Sequence, residues 1–347
     1  MGIEIVSSLW LALPVLALWI VHADSAGAAP RKIIIAHRGA SGYLPEHTLE
    51  AVAAAHIMGA DYLEQDAVLS KDSVPMVLHD IHIDTVTDVA RRFPGRKRGD
   101  DRYYAIDFTL AELKQLRVTE RLDPKTGQAV YAGRFPPWQA SFEIPTLEEE
   151  LQLIRGLNKS TGREAGVYPE IKLPAWHRNQ GQDISRIVLE VLARYGYKTR
   201  DDRIYLQCFD FAEVKRIRNE LGYRGRIVQL IGENSQNESS TDYNWIRTKP
   251  GLAEVAKVAD GIGPALQQVV AGKLDGALKI TDLVKNAHDL KLEVHPYTFR
   301  SDSLPAYASS LEELFRIFFV QVGVDGVFTD YPDRGVAFVR GTSGPRP

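Results

Sequence analysis

Two residues that could move a proton and hold an anion stand side by side at the end of an apolar run. Ile33-Ile34-Ile35-Ala36 leads into His37-Arg38, and small residues follow at once in Gly39-Ala40-Ser41-Gly42. Alone, such a pair is as readily a polar turn as a reactive one. Further along, carboxylates occur where a strand would be expected to be apolar: Glu64 and Asp66 stand two apart, as do Glu170 and Lys172. Residues two apart on a strand project to the same face. His79-Asp80 ends another extended run, Gln207 and Phe209 close a fourth, His295 and Tyr297 a seventh, and Asp330 the last.

Charged side chains are rarely buried in strands unless they are paired or bind a metal. Glu64, Asp66 and Glu170 brought to one rim would repel one another, and a divalent cation relieves that repulsion. All-oxygen ligation selects a hard ion, Ca²⁺ or Mg²⁺, over zinc. A buried ion-pair network with Arg38 and Lys172 would satisfy the same charges, so the carboxylates leave both arrangements open. The histidines discriminate. His37 and His79 would supply a base and an acid near neutral pH, while Arg38 and Lys172 carry positive charge suited to a phosphate. Acid, base, hard cation and two fixed cations together make a phosphoryl-transfer site. The other histidines (His22, His47, His56, His82, His177 and His288) lack such company. His47, at the start of the first helix, would at most support the residues that touch the ligand.

The elements that must position these residues alternate. Strands are expected at 33–36, 61–67, 167–172, 203–207, 226–231, 259–263, 292–296 and 324–329, with helical periodicity between most of them. Pro45-Glu46-His47-Thr48 leads into an Ala-rich helix closed by Gly59. Thr146 with Glu149, and Thr109 with Glu112, read as capping boxes. Helices are further expected over 183–195, 211–221, 251–258, 282–290, 311–322 and 334–339, and a polar loop over 233–244. Val74 to Asp80 follows the second strand after four polar residues and reads as the return arm of a hairpin. Eight strand-helix units predict a (β/α)₈ (TIM) barrel with a small insertion, about 81–145, after the second barrel strand. An open doubly wound sheet is the runner-up, but no Gly-x-Gly-x-x-Gly opens the first helix. The insertion is irregular and rich in aromatics, Gly and Pro. It would serve as a lid over the site or as a contact in a homodimer. Its basic cluster, Arg91 to Arg98, reads as a solvated loop. Pro169, inside a strand, removes a ladder donor, and nothing in the sequence explains it.

A net charge of −3 gives no footing for nucleic-acid binding, and the single cysteine, Cys208, excludes an intramolecular disulfide. Ile5 to Val21 is apolar apart from Ser7 and Ser8, and small residues follow through Ala29. Residues 1–29 therefore read as a cleaved signal peptide, despite the lack of Lys or Arg before Arg31, and the mature domain as 30–347. The competing reading is an uncleaved anchor. Cleavage implies a periplasmic or secreted protein without stable membrane association.

The combination His37-Arg38, Glu64-x-Asp66 and His79-Asp80, spread over successive strands, resembles the glycerophosphodiester phosphodiesterases, and most closely their periplasmic or secreted bacterial branch. The likeness extends through Tyr168-Pro169-Glu170-Ile171-Lys172, Tyr205 to Asp210, Val294 to Thr298 and Phe328 to Pro332. It implies metal-dependent hydrolysis of small glycerophosphodiesters such as glycerophosphocholine or glycerophosphoethanolamine to sn-glycerol 3-phosphate and an alcohol. By that resemblance Glu64, Asp66 and Glu170 would hold Ca²⁺ (or Mg²⁺), and His37 and His79 would be the catalytic pair. Arg38, Lys172, Gln207, Phe209 and Tyr297 would contact substrate. Tyr297 stands where many members have tryptophan. Two other readings remain. A lipid-directed phosphodiesterase of phospholipase C or sphingomyelinase D type would need an apolar interfacial loop, which is not evident. A non-catalytic phosphodiester-binding protein would not need both histidines and all three carboxylates.

Overall fold

A computed structural model describes residues 1–2 and 32–342, and the leader and anchor readings of residues 1–29 lie outside it apart from the first two residues. From Lys32 onward the chain clusters into one compact unit. Eleven strands occur among the described residues: β1 (Ile33–Ala36), β2 (Tyr62–Leu69), β3 (Pro75–Val77), β4 (Gly166–Ile171), β5 (Tyr205–Cys208), β6 (Arg226–Ile231), β7 (Gly261–Pro264), β8 (Val270–Leu274), β9 (Ala277–Ile280), β10 (Glu293–Val294) and β11 (Gly326–Thr329). Eight of them run in the order β10-β7-β6-β5-β4-β2-β1-β11, paired in parallel throughout. Between β10 and β11 the sheet is closed by isolated backbone bonds: Asp325 N to Val294 O (3.1 Å), Phe328 N to Pro296 O (3.1 Å) and Phe299 N to Phe328 O (2.8 Å). The result is the expected (β/α)₈ barrel, with every barrel strand within two residues of its expected span.

Strand alternation divides the core. Leu63, Ala67, Val167, Ile171, Leu206 and Ile227 pack outward against the helices. Ile35, Tyr62, Tyr168, Tyr205, Val228 and Phe328 fill the barrel interior. The inward rows of β2, β4 and β5 thus pass from a tyrosine layer to Glu64, Asp66, Glu170 and Gln207 at the C-terminal rim, where register places Asp66 opposite Glu170 and Glu170 opposite Gln207. His295 belongs to the interior and not to the rim. Its Nδ1 meets the Tyr168 hydroxyl at 2.9 Å. The seam that Pro169 interrupts can be located. Val167 N bonds Arg203 O on the β5 side, so the missing donor of Pro169 falls on the β4–β5 seam, which registers only at Glu170–Gln207 and the bridge Val167–Ile204.

The Gly59 stop and the two capping boxes form as expected, and Thr48 proves to be a further N-cap. Thr48 accepts from Ala51 N and Gly59 closes that helix at φ 102°, and both capping boxes are complete. Other expectations are corrected. The helix expected at 251–258 spans Lys249–Val255, because Thr248 caps it and Pro250 suits its first turn. The segment expected as a loop over 233–244 holds a short turn, Asn234–Gln236, and the start of a helix, Tyr243–Ile246, capped by Asp242. The helix expected over 311–322 changes to π geometry at Ile317. A helix over Pro174–Asn179 and the β8–β9 hairpin carried no readable period. The insertion is not loose: Val68, Met76, Ile83, Val89, Phe108, Leu113, Phe142 and Ile144 make a second core. Its basic cluster is paired locally, Arg91 with Asp88, Arg96 with Glu112 and Arg98 with Asp107, as a solvated loop would be. Among the described residues no helix is long and apolar enough to cross a membrane.

Candidate active site at the C-terminal rim

A cleft of about 340 Å³ opens at the carboxyl ends of the strands, lined by His37, Arg38, Glu64, Asp66, His79, Glu170, Gln207, Phe209 and Tyr297 among others. Every residue expected to act from the sequence therefore reaches this opening, except Lys172, which lies just beneath it against Glu170 and Asp66.

The site is built outward from β1. His37 N bonds Thr329 O at 3.0 Å, which fixes the strand end. Its Nδ1 sits 2.6 Å from Asp330 Oδ1. Arg38 then turns into the left-handed region at φ 57°, a conformation a bulky residue keeps only where its surroundings hold it. What holds it is Glu64, whose Oε2 accepts from Arg38 N at 2.6 Å. Gly39 follows at φ 79°, and a Cβ there would lie 2.7 Å from the Ala51 carbonyl carbon, so only glycine fits between this turn and the first helix. The Arg38 side chain reaches Glu46 Oε2 (2.9 Å) and approaches Asp66 Oδ2 (3.6 Å). Leu78 N bonds Asp66 O at 2.9 Å and so brings the hairpin end, with His79, alongside β2. His79 Nδ1 contacts Asp80 Oδ1 at 2.7 Å.

Burial is the largest influence on these groups. It lowers His37 to about 4 and His79 to about 3, with Arg38 adding to the effect in both cases. Glu64 is pushed well above the usual carboxylate range by burial and by Asp66, and Glu170 is likewise raised by burial, against the pull of Lys172. Asp66 goes the other way: burial would raise it, but Lys172, His79 and His47 hold it well below its usual value. Like charges crowded in one desolvated pocket divide in this manner, one ionising at the expense of its neighbours.

A hard divalent cation fits this donor set. Ligand atoms of His47, Glu64 and Asp66 lie within 4.8 Å of one another, while Glu170 stands beside them, opposite Asp66 in the β2–β4 register and paired with Lys172 at 2.9 Å. Asp66 Oδ1 and Gln207 Oε1 are buried without a hydrogen-bond partner, which the ion pairs from Arg38 and Lys172 do not remedy. Buried acceptors left unpaired are costly. The His47 nitrogen in this cluster is engaged with Asp66 Oδ2 at 2.7 Å, and it supports the carboxylate as the sequence suggested.

On the far wall Phe209 and Tyr297 meet edge to face at 6.0 Å, and the Tyr297 hydroxyl donates to Ile231 O at 2.9 Å. Lys172 Nζ lies 5.7 Å from the Phe209 ring centre. Gln207 Nε2 approaches Glu64 Oε1 at 3.4 Å. Four residues that sequence reasoning passed over complete the rim. Arg121 joins Glu46 and Asp80, Arg134 and Arg300 both hold Asp330, and Glu46 links Arg38 to Arg121. Arg121 and Arg134 come from the irregular insertion, where no period or motif could single them out. Glu46 lies inside the motif read after the first strand.

Two histidines, three carboxylates and two buried cations at the C-terminal end of an eight-stranded parallel barrel define a phosphate-handling (β/α)₈ barrel. The glycerophosphoryl diester phosphodiesterase family model matches residues 37–334, and the chain belongs to that family. It is 46% identical over 329 residues to a glycerophosphodiester phosphodiesterase of Haemophilus influenzae, covering 89% of this chain and 90% of that one. It is 41% identical over 332 residues to a counterpart in Treponema pallidum, covering 90% and 93%. A Silicibacter pomeroyi protein of known structure superposes with a TM-score of 0.68 at 25% identity, covering 91% of this chain and 95% of that one.

Proposed function

We propose that this protein hydrolyses small glycerophosphodiesters, glycerophosphocholine and glycerophosphoethanolamine among them, to sn-glycerol 3-phosphate and the free alcohol. His37 and His79 exchange the protons. The observation that carries the reading is the shared cleft: both histidines, each engaged through Nδ1 by an aspartate, open on the same space as Glu64, Asp66 and Glu170. Family membership supports the same activity.

Glu64, Asp66 and Glu170 would hold Ca²⁺ or Mg²⁺, which when bound neutralises the crowded carboxylates and draws charge from the phosphate oxygens. Arg38 binds and orients the phosphate, and Lys172 adds positive charge beneath it. One histidine takes the proton of the glycerol 2-hydroxyl, whose oxygen attacks phosphorus. The other, charged once the anionic phosphate offsets the burial and the field of Arg38 that otherwise keep it neutral, gives its proton to the departing alkoxide. Water then opens the cyclic phosphate with the two roles reversed, which returns both histidines to their starting states. Phe209 and Tyr297 pack against the glycerol carbons. The apolar run before Ala29 supports export, so we place the enzyme in the periplasm or outside the cell; fractionation of cells expressing the full chain tests this.

Release of glycerol 3-phosphate from glycerophosphocholine is the direct test. Activity is expected with Ca²⁺ or Mg²⁺, and its loss on chelation. His37→Ala and His79→Ala should each lower kcat by about 10²–10⁴-fold, the range for losing a positioned acid or base. No release with either ion would overturn the enzyme reading, and release indifferent to a chelator would overturn the metal assignment. A cyclic glycerol phosphate trapped in single turnovers would support the two-step route; solvent oxygen entering directly without it would exclude that route.

A further inference from the structure

Both histidines end on an aspartate, and both aspartates end on an arginine from the same inserted segment. Arg134 Nη2 donates to Asp330 Oδ2 at 2.6 Å, while Asp330 Oδ1 engages His37 Nδ1. Arg121 Nη1 donates to Asp80 Oδ2 at 2.5 Å, while Asp80 Oδ1 engages His79 Nδ1. In each case the carboxylate is shared, one oxygen to the imidazole and one to the guanidinium. Neither arginine lines the main cleft; both wall a separate recess of about 210 Å³ behind the histidines.

The anchoring is firm on both sides. Arg134 also donates to Ser41 O (3.1 Å) and to Asp302 (2.8 and 3.2 Å), and its side chain is only 4% exposed. It therefore joins the insertion to the segments after β1, β10 and β11. Arg300 bonds the same Asp330 oxygen at 2.7 Å, and the Tyr131 ring lies 3.7 Å from the Arg134 guanidinium. Arg121 bridges Asp80 to Glu46, and Glu46 in turn holds Arg38.

An ionised carboxylate held in place fixes which imidazole nitrogen carries hydrogen. With Nδ1–H donating to the aspartate, Nε2 is turned to the cleft with its lone pair or proton available for transfer. We propose that Arg121 and Arg134 are positioning residues for the proton-transfer pair. Through Asp80 and Asp330 they set the ring orientation and tautomer of His79 and His37, so that the insertion is part of the catalytic apparatus and not only a wall over it. This rests on the phosphodiesterase reading above.

The test compares Arg134→Ala, Arg121→Ala and, as a control from the same insertion, Arg96→Ala, whose partner is Glu112. Each is assayed on glycerophosphocholine and on the glycerol p-nitrophenyl phosphodiester, with folding checked by circular dichroism. Expected is a loss of about 10–100-fold in kcat for Arg134→Ala and Arg121→Ala, the scale seen when the partner behind a functional histidine is removed. KM should change by less than about threefold, and Arg96→Ala should match wild type. One of the two losses should shrink on the nitrophenyl substrate, whose leaving group needs no proton, and that arginine stands behind the general acid. Arg134→Lys and Arg121→Lys should recover part of kcat by restoring one charged donor. Should an alanine variant fail to fold, Asp330→Asn and Asp80→Asn read the same two relays, with the kcat loss expected and the KM held. Wild-type kcat in folded arginine or asparagine variants, a loss confined to KM, or an equal loss in Arg96→Ala would each overturn the proposal. Inactive wild type would overturn the underlying reading instead.

Discussion

At the scale of single residues the site is organised by unequal sharing of protons. Glu64 and Glu170 are held above the ordinary carboxylate range by burial, while Lys172, His79 and His47 keep Asp66 ionised. A metal must bind carboxylates, so wherever Glu64 or Glu170 still carries a proton its arrival expels that proton. Calorimetric titration with Ca²⁺ in two buffers of different ionisation enthalpy should show proton release, with apparent affinity strengthening as pH rises toward neutrality. Binding heats that do not depend on the buffer would contradict the raised state of these two groups. The backbone at Arg38 belongs to the same scale. Its left-handed φ of 57° aims the amide at Glu64, so one strained residue connects the side chain proposed to bind phosphate to a carboxylate proposed to hold the metal.

At the scale of elements, histidines placed outside the cleft do structural work. His177, in the helix Pro174–Asn179 that follows β4, accepts from Leu69 N through Nε2 at 3.3 Å and meets Leu173 O through Nδ1 at 3.1 Å. Burial lowers it from 6.5 to about 4. It is thus neutral in the folded chain where the unfolded chain would already be charged. The stability it contributes is complete above pH 6.5 and is lost as pH falls toward 4, by about 3 kcal/mol if the whole shift is realised. His177→Gln, which keeps an acceptor and a donor but cannot titrate, should flatten the fall in urea-unfolding free energy between pH 7 and 4.5, measured with chelator present. An unchanged slope would assign that pH dependence to other groups.

At the scale of the whole molecule, the insertion carries a core of its own, separate from the outer and inner layers of the barrel. It includes Phe108, fully buried, with Phe93 5.3 Å away and the Arg96 guanidinium over its ring at 4.5 Å. Phe108→Ala should cost about 3–5 kcal/mol, and the loss should appear first in the insertion. Limited proteolysis within 81–145 should then accelerate and activity should fall in step, while the barrel keeps its far-ultraviolet dichroism. Full activity after cleavage there would show that the insertion does not hold the site together.

How much of this was legible differs by part, for physical reasons. The (β/α)₈ alternation, the Thr109 and Thr146 caps and the inward row from Glu64 to Asp66 follow from period and local hydrogen bonding, which act over a few residues and leave their mark in the sequence. The residue types alone named His37, His79, Arg38, Lys172 and the three carboxylates as one chemistry, because few arrangements make so much charge acceptable inside strands. In the sequence the insertion shows only irregularity. Its order comes from a core shared between distant segments, from Val68 to Ile144, and burial between segments leaves no period. His295 could be assigned to the tyrosine layer only once the barrel had closed around it. The partners of Asp330 and Asp80, Arg134 and Arg121, lie 196 and 41 residues away from them. Sequence determined which groups could transfer a proton and hold a phosphate. Tertiary structure decided which nitrogen of each histidine faces the aspartate, because that depends on carboxylates and guanidiniums brought together only by the completed fold.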